Sequence, residues 1–401
     1  MINKKMQALG AKRSVIREIF EYAKIRKAEV GAENVFDFSL GNPSVPTPTG
    51  LDREICRLIE TTNSVDLHGY TSAQGDANTR KAIADHINKT QNETVNASCL
   101  YLTAGAAAAL TATLTALVNT GEEVIVPSPF FPEYRVFIER MGGVLVDVPC
   151  DREHFAIDVK GIADAINEKT AAVLINSPNN PTGAVQSEQT IKALAKVLSE
   201  KSAQYGKTIY LISDEPYREL VYDGVKVPYP TKYYDDTIIC YSYSKALSIP
   251  GERIGYVLVC PRIKDFDSVY QAVCGAGRAL GFVCAPTMFQ KVLPACLDMC
   301  ADIDVYDTNR KLLYEALTSY GYKCVRPEGA FYLFMRSPIE DANIFCEKAK
   351  KLDLLLVPAD DFGCEGFVRI SYCTDTEMIK RALPRFKELA QLCKVYPKEE
   401  E

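Results

Sequence analysis

Histidine is scarce in this chain of 401 residues. Only His68, His86 and His154 are present, no two of them close together in sequence, so a histidine-based metal centre has little to build on. The fourteen cysteines do not supply one either. They lack the close, even spacing of a disulfide framework and suit a reducing compartment, where thiols serve as small buried apolar groups. Cys296 and Cys300 fall one helical turn apart, yet no histidine lies near them in sequence, and no metal site is expected. Excess positive charge is missing too: 46 Lys and Arg against 52 Asp and Glu leave a net charge of −6. Nucleic acid or an anionic membrane as main partner would need clustered basic residues, so small molecules are the expected partners. Long hydrophobic runs are also absent. The best candidate, Ala104 to Val118, is interrupted by three threonines and is shorter than the roughly 20 residues of a membrane span. It reads as a helix of small residues buried inside the protein. The opening MINKKMQALGAKR is basic but has no apolar core or small-residue cleavage site, and reads as a cytoplasmic arm over residues 1–13.

What is present is alternation. Between residues 98 and 260, short β-branched runs alternate with helical stretches, the pattern of a largely parallel sheet covered on both faces. Strands are expected at CLYLT (99–103), EVIVP (123–127), VLVDV (144–148), AAVLIN (171–176), TIYLIS (208–213), TIICYS (237–242) and GYVLVC (255–260). A helix is expected over 187–204 and a long one around 286–320. The amphipathic stretch 14–30 precedes a proline-rich turn, LGNPSVPTP, and the C-terminal third carries GAFYLF, LLLVPA and FVRISY. The expected fold is therefore α/β, a mostly parallel seven-stranded sheet flanked by helices, with a smaller α+β lobe built from both chain ends. The large domain spans 48–289, and 14–47 with 290–401 form the small one. The acidic KEEE at the end reads as solvated.

In such a sheet, ligands bind beyond the carboxyl ends of the strands, where loops from several strands converge. After CLYLT comes AGAAAAL, a glycine with small residues opening a helix, whose free N–H groups can hold a phosphate. After AAVLIN comes SPNNPTG, which offers Asn179 and Asn180. After TIYLIS comes DEPY, and after TIICYS comes SKALSIPGER. Each has a plain structural reading: helix packing, a turn, an N-cap at Asp214, a solvated lysine at Lys245. Their positions at equivalent ends of successive strands decide for a site. Together they supply a phosphate cradle, an amide, a carboxylate, a phenol and an amine. Pyridoxal 5'-phosphate needs that set: a lysine for its aldehyde, a carboxylate facing its ring nitrogen and anchors for its phosphate. A free lysine, with a pKa of about 10.4, is protonated at neutral pH; desolvation and a nearby cation, here Arg253, would lower that value.

At these residues the sequence resembles a known family, the class I and II aminotransferases, fold-type I pyridoxal-phosphate enzymes similar to aspartate aminotransferase. The resemblance runs from about Ser14 to Arg385 and rests on NNPTG, DEPY, SYSK with an arginine eight residues on, and RIS. It implies that Lys245 is the Schiff-base lysine, Asp214 the partner of the pyridine nitrogen, and Asn180 and Tyr217 donors to the ring's 3-oxygen. It places Ser242, Ser244 and Arg253 on one side of the phosphate, and the backbone of Gly105, Ala106 and Ala107 on the other. Phe131, in PSPFFPEY, falls where the family stacks an aromatic on the cofactor ring. HGYTSAQG is similar to the segment whose tyrosine, here Tyr70, reaches across a homodimer interface to the neighbour's phosphate; a packed aromatic in a turn is the other reading. Arg369 in FVRISY would meet the substrate's α-carboxylate rather than a structural carboxylate, with the backbone of Gly41 completing that pocket.

The implied reaction moves an amino group from an L-amino acid, aspartate among the candidates, to a 2-oxo acid. Arg278 in GAGRALGF is near the region from which some relatives send an arginine to a side-chain carboxylate; it could equally serve the surroundings of Tyr70 or the partner's phosphate. GAGRALG is not a dinucleotide fingerprint, since its third glycine is displaced and no clear strand precedes it. Three departures stand out against the family. Ala104 and Ala106 occupy positions that carry hydroxyls in some relatives, Phe131 replaces the tryptophan of many aspartate enzymes, and Ala359 stands where glycine is frequent. A carbon–sulfur β-lyase is the alternative activity on the same scaffold. A cofactor-binding module of a transcription regulator is a remoter one, with only about 13 residues ahead of the first family-like helix.

Overall fold

A computed structural model describes residues 2–11 and 15–395. Ser14, the end of the expected arm and the KEEE tail therefore lie outside the described residues. Seven strands form one sheet, in the order Leu100–Thr103, Gly255–Val259, Thr237–Ser242, Tyr210–Asp214, Thr170–Asn176, Glu123–Ser128 and Val144–Pro149. The last five are mutually parallel, while Gly255–Val259 pairs antiparallel with both its neighbours. Six strands therefore point one way and one runs back. That reversal matters for the site, because a residue just before Gly255 sits at the same sheet edge as residues just after the other strands.

The central strands read as continuous apolar runs because both faces are covered. Val173, Leu174, Ile212 and Ile239 are fully buried, and each such side chain contributes about 1.5–3 kcal/mol. The run at 104–118 forms the helix Ala106–Leu117, packed into the core through Ala109, Ala112 and Leu114. The helix Glu188–Tyr205 starts on Ser187, whose hydroxyl accepts from the Thr190 amide, and stops at Gly206 in a left-handed conformation.

A second, antiparallel sheet orders Val357–Pro358, Phe367–Ser371, Tyr332–Arg336 and Lys323–Val325. The N-terminal helix Val15–Val30 packs beside it, and Arg26 Nε meets Asp353 at 2.7 Å. The expected long helix over 286–320 is two, Thr287–Cys296 and Ile303–Ser319. The break has a local cause. Ala301 gives its N–H to the carbonyl of Ala246 instead of to a helical acceptor, and Asp302 then caps the second helix by accepting from Asp304 N. No described helix is long and apolar enough to cross a membrane.

Candidate active site

Beyond the carboxyl ends of the parallel strands lies a cavity of about 330 Å³. Its lining brings together Gly41, Ala106, Ala107, Phe131, Asn180, Asp214, Tyr217, Ser242, Ser244, Lys245, Arg253 and Arg369, so segments spread over more than 300 positions converge. Ile16, on the N-terminal helix, forms part of the wall.

Asp214 ends the strand Tyr210–Asp214 and is fully enclosed. It is not an N-cap. Its Oδ2 accepts a 2.5 Å hydrogen bond from the Tyr134 hydroxyl, while Oδ1 is buried without a partner. Burial pushes its pKa up to about 7, against the pull of the Tyr134 hydrogen bond. A buried carboxylate with one open oxygen fits a protonated ring nitrogen.

Lys245 lies on the single turn Tyr243–Ala246 that follows the strand Thr237–Ser242. Its Nζ donates to the Gly41 carbonyl at 2.7 Å and sits 5.3 Å from the centre of the Phe331 ring. This is no solvated lysine. Its pKa is lowered to about 8, by burial above all, with Cys373 opposing and Arg253 and Arg369 adding to the fall.

The phosphate cradle is assembled from opposite directions. Ser242 Oγ and Ser244 Oγ are 2.6 Å apart, and Arg253 Nη1 donates to Ser244 Oγ at 3.3 Å. Arg253 stands just ahead of the reversed strand, which delivers it to this edge. Across from it, Gly105 opens the helix Ala106–Leu117 at φ +81° with no side-chain cap, leaving first-turn N–H groups available. That φ favours glycine, and a Cβ at Gly105 would lie 2.4 Å from Arg253 Nη2 and push the arginine aside. Ala104 contributes its carbonyl, which accepts from Arg253 Nη2 at 3.3 Å.

Arg369 is buried in the strand Phe367–Ser371 and takes part in no ion pair among the described residues. Nη1 donates to Asn180 Oδ1 at 3.2 Å and Nη2 to the Ser39 carbonyl at 2.5 Å, while Nε has no partner. Its guanidinium lies between the Tyr332 and Phe362 rings, 4.7 and 5.0 Å from their centres, and burial holds its pKa below the usual arginine range. Such a cation suits a carboxylate. Gly41 must be glycine here, since a Cβ would fall 2.1 Å from the Tyr332 hydroxyl.

Two expected residues stand apart. Tyr70 is 90% exposed and Arg278 is exposed at the end of the helix Phe266–Ala279; neither lines the cavity. Sequence reasoning in turn missed Tyr134, Asn176 and Tyr332. Asn176 donates to the Asp214 carbonyl at 2.8 Å and accepts from the Asn180 amide at 2.8 Å, locking two site residues together. Tyr332 meets the Tyr217 hydroxyl at 3.0 Å. Tyr134 carried a usable signal: it lies three residues beyond Phe131, the helical spacing that puts two side chains on one face.

Comparison with known proteins now decides the family. The sequence model described as Aminotransferase class I and II matches residues 33–386. The chain belongs to that family. A probable aspartate aminotransferase of Methanocaldococcus jannaschii is 30% identical over 94% of this chain and 97% of its own length. An aspartate/prephenate aminotransferase of Thermus thermophilus is 32% identical over 86% and 88%. Among solved structures, an aminotransferase of Eubacterium rectale superposes with a TM-score of 0.96 at 54% identity, covering 98% of this chain and 99% of that one. The chain is a pyridoxal-phosphate-dependent aminotransferase with the fold its motifs implied. The β-lyase alternative is not favoured, since these relatives are named as aminotransferases.

Proposed function

We propose that this aminotransferase takes the amino group of an L-amino acid whose α-carboxylate pairs with Arg369, and that Lys245 is its proton carrier. One observation supports the reading above the rest: a lysine with a lowered pKa, a buried half-satisfied carboxylate and a buried unpaired arginine line a single cavity. When bound, pyridoxal phosphate supplies an electron sink for the pair released at the substrate's α-carbon. Ser242, Ser244, Arg253 and the amides after Gly105 would hold its phosphate, and Phe131 would lie against its ring. Asn180 and Tyr217 would face the ring oxygen. Asp214, held by Tyr134, would keep the ring nitrogen protonated. Lys245, uncharged in a fraction that burial makes large, takes the α-proton at Nζ. Arg369 and the Gly41 backbone orient the substrate so that this proton points at the lysine.

The described chain offers only Lys245, Arg253 and Arg369 as cations on the cavity wall. All three are assigned, so a second carboxylate, as in aspartate, would need a cation from elsewhere, and Arg278 of a second copy is the candidate. The same reading makes the protein a homodimer with Tyr70 reaching the partner's phosphate. Tyr70 is exposed although its neighbours are pinned: Thr287 donates to the Gly69 carbonyl at 2.7 Å, and Gln290 Nε2 to Thr71 Oγ1 at 3.1 Å. Val65 and Val283 add exposed apolar surface from the segments flanking those pinned residues, which suits burial against another copy. The division into a large domain, 48–289, and a small one from 14–47 and 290–401 belongs to this proposal, as does a cytoplasmic setting for fourteen unpaired thiols. The test is a half-reaction panel, adding each amino acid singly to the cofactor-loaded protein and following the cofactor's absorbance. Spectral conversion by amino acids, lost in Arg369→Ala, is expected. Failure of every amino acid to convert the cofactor would defeat the reading.

A further inference from the structure

A second cavity, of about 360 Å³, shares no lining residue with the first, yet is built from the same segments. Tyr217 faces the first cavity, and Arg218 and Glu219 face the second; Ser242, Ser244 and Lys245 face the first, and Tyr241, Tyr243 and Ala246 the second. Its far wall includes Met299 and Cys300, from the break between the two helices described above.

Two buried polar atoms in this wall have no partner. Tyr229 is 3% exposed and its hydroxyl makes no hydrogen bond, and Glu219 Oε2 is equally unmatched. Buried polar atoms are ordinarily satisfied, so two in one cavity call for an explanation. The neighbouring charges are already engaged. Arg218 Nε meets Glu215 Oε2 at 2.5 Å, its other nitrogens donate to the Val227 and Pro228 carbonyls, and its guanidinium lies 4.7 Å from the centre of the Tyr229 ring. The other oxygen of Glu215 accepts from Ser213 at 2.8 Å. Towards the outside, Asp298 is matched by Lys89 at 3.0 Å and His86 at 3.2 Å. What remains is the Glu219 carboxylate, which the Tyr241 hydroxyl bonds on one side and whose buried Oε2 has no partner, in the wall of a space lined also by Tyr229, Tyr241, Tyr243 and Tyr256.

We infer that this cavity binds a small organic ammonium ion, its charge on Glu219, its body against the tyrosine rings and a polar substituent within reach of the Tyr229 hydroxyl. Carboxylate and aromatic faces together select such a cation over an anion or a neutral apolar molecule. A bare metal ion fits poorly, since no group of three His, Cys, Asp or Glu able to hold one exists among the described residues. The cavity is also far larger than an ion.

The probe is choline, which cannot form an imine with the cofactor, and its neutral control is 3,3-dimethylbutan-1-ol, of the same shape. Titration calorimetry on the cofactor-loaded enzyme is expected to show one saturable choline site per chain and no binding of the alcohol at equal concentration. Glu219→Gln should weaken choline at least about tenfold, as loss of a charge partner does. Thr90→Trp, an exposed position on the cavity wall, should abolish binding by occlusion and leaves the core untouched should the Glu219 variant fail to fold. Absence of choline binding to the wild type, equal binding of the alcohol, or choline binding unchanged in Thr90→Trp would each overturn the assignment. The readout is binding, so it stands apart from the outcome of the half-reaction panel.

Discussion

The Tyr134 hydroxyl donates to Asp214 Oδ2 at 2.5 Å, a contact between the helix Glu133–Glu139 and the end of the strand Tyr210–Asp214, both groups shut off from solvent. Tyr134 favours the charged carboxylate, whereas burial opposes it. Its task is to keep Asp214 anionic at neutral pH and to aim Oδ1, the oxygen without a partner, at the ring nitrogen. Tyr134→Phe removes a hydrogen bond to a charged group, about 1.5–3 kcal/mol, so kcat/KM should fall roughly ten- to hundredfold. The acidic limb of the pH profile should also move to higher pH. A variant that loses activity with an unmoved profile would make Tyr134 a packing residue only.

Asp214 should also leave a mark on stability. Its pKa in the cofactor-free fold is about 7 against 3.8 in a free chain, so the folded state holds the proton more tightly. Stability from this group is therefore greatest in acid and is lost as pH rises from about 4 through 7, on the order of 4 kcal/mol at the upper end. Asp214→Asn has no such loss. In cofactor-free protein the variant should melt higher than wild type at pH 8 and close to it at pH 4, while binding pyridoxal phosphate more weakly. Melting curves that run parallel across this range would refute the assignment.

The parts of this site that lie in one short segment could be read from the residues themselves; those made by pairing between distant segments, such as Arg253 with Gly105 or Arg369 with Gly41, came only with the family resemblance, and Tyr134, Asn176 and Tyr332 not at all. Lys245, Ser242 and Ser244 follow one strand, and the seven apolar runs define the sheet because each must bury both faces. The direction of Gly255–Val259, which puts Arg253 beside Gly105, is a tertiary choice that the local pattern does not encode. Tyr332 looked like one more apolar residue in GAFYLF, and only its position under Arg369 gives it a role. The helix break at 297–302 was hidden for the same reason: Ala301 leaves the helix for a carbonyl at Ala246, far away in sequence.

Lys245 predicts a second pH dependence. With its pKa lowered to about 8, roughly a tenth of the amine is uncharged at pH 7, against about one in three thousand at the free value. Capture of added pyridoxal phosphate by cofactor-free protein needs that uncharged amine, so its rate should climb with pH through a midpoint near 8. Arg253→Gln removes one of the cations that depress the amine and should move the midpoint up. Measuring at saturating cofactor separates this from any loss of phosphate affinity. A midpoint that stays in place would show that Arg253 does not depress the amine.

Tyr70 and Lys245 allow the dimer proposal to be tested without a structure of the pair. If Tyr70 serves the partner's cavity, Lys245→Ala and Tyr70→Ala each spoil both sites of their own homodimer. A mixed dimer of the two variants behaves differently. The chain that keeps Lys245 receives Tyr70 from the other, and one intact site is restored. Random exchange of two such chains should bring back up to about a quarter of wild-type activity, since half the dimers are mixed and each has one of two sites repaired. If instead Tyr70 acts within its own chain, the mixed dimer has no repaired site and activity stays at the level of the separate variants. Co-expression with distinct affinity tags, followed by isolation of the doubly tagged species and assay, distinguishes the two.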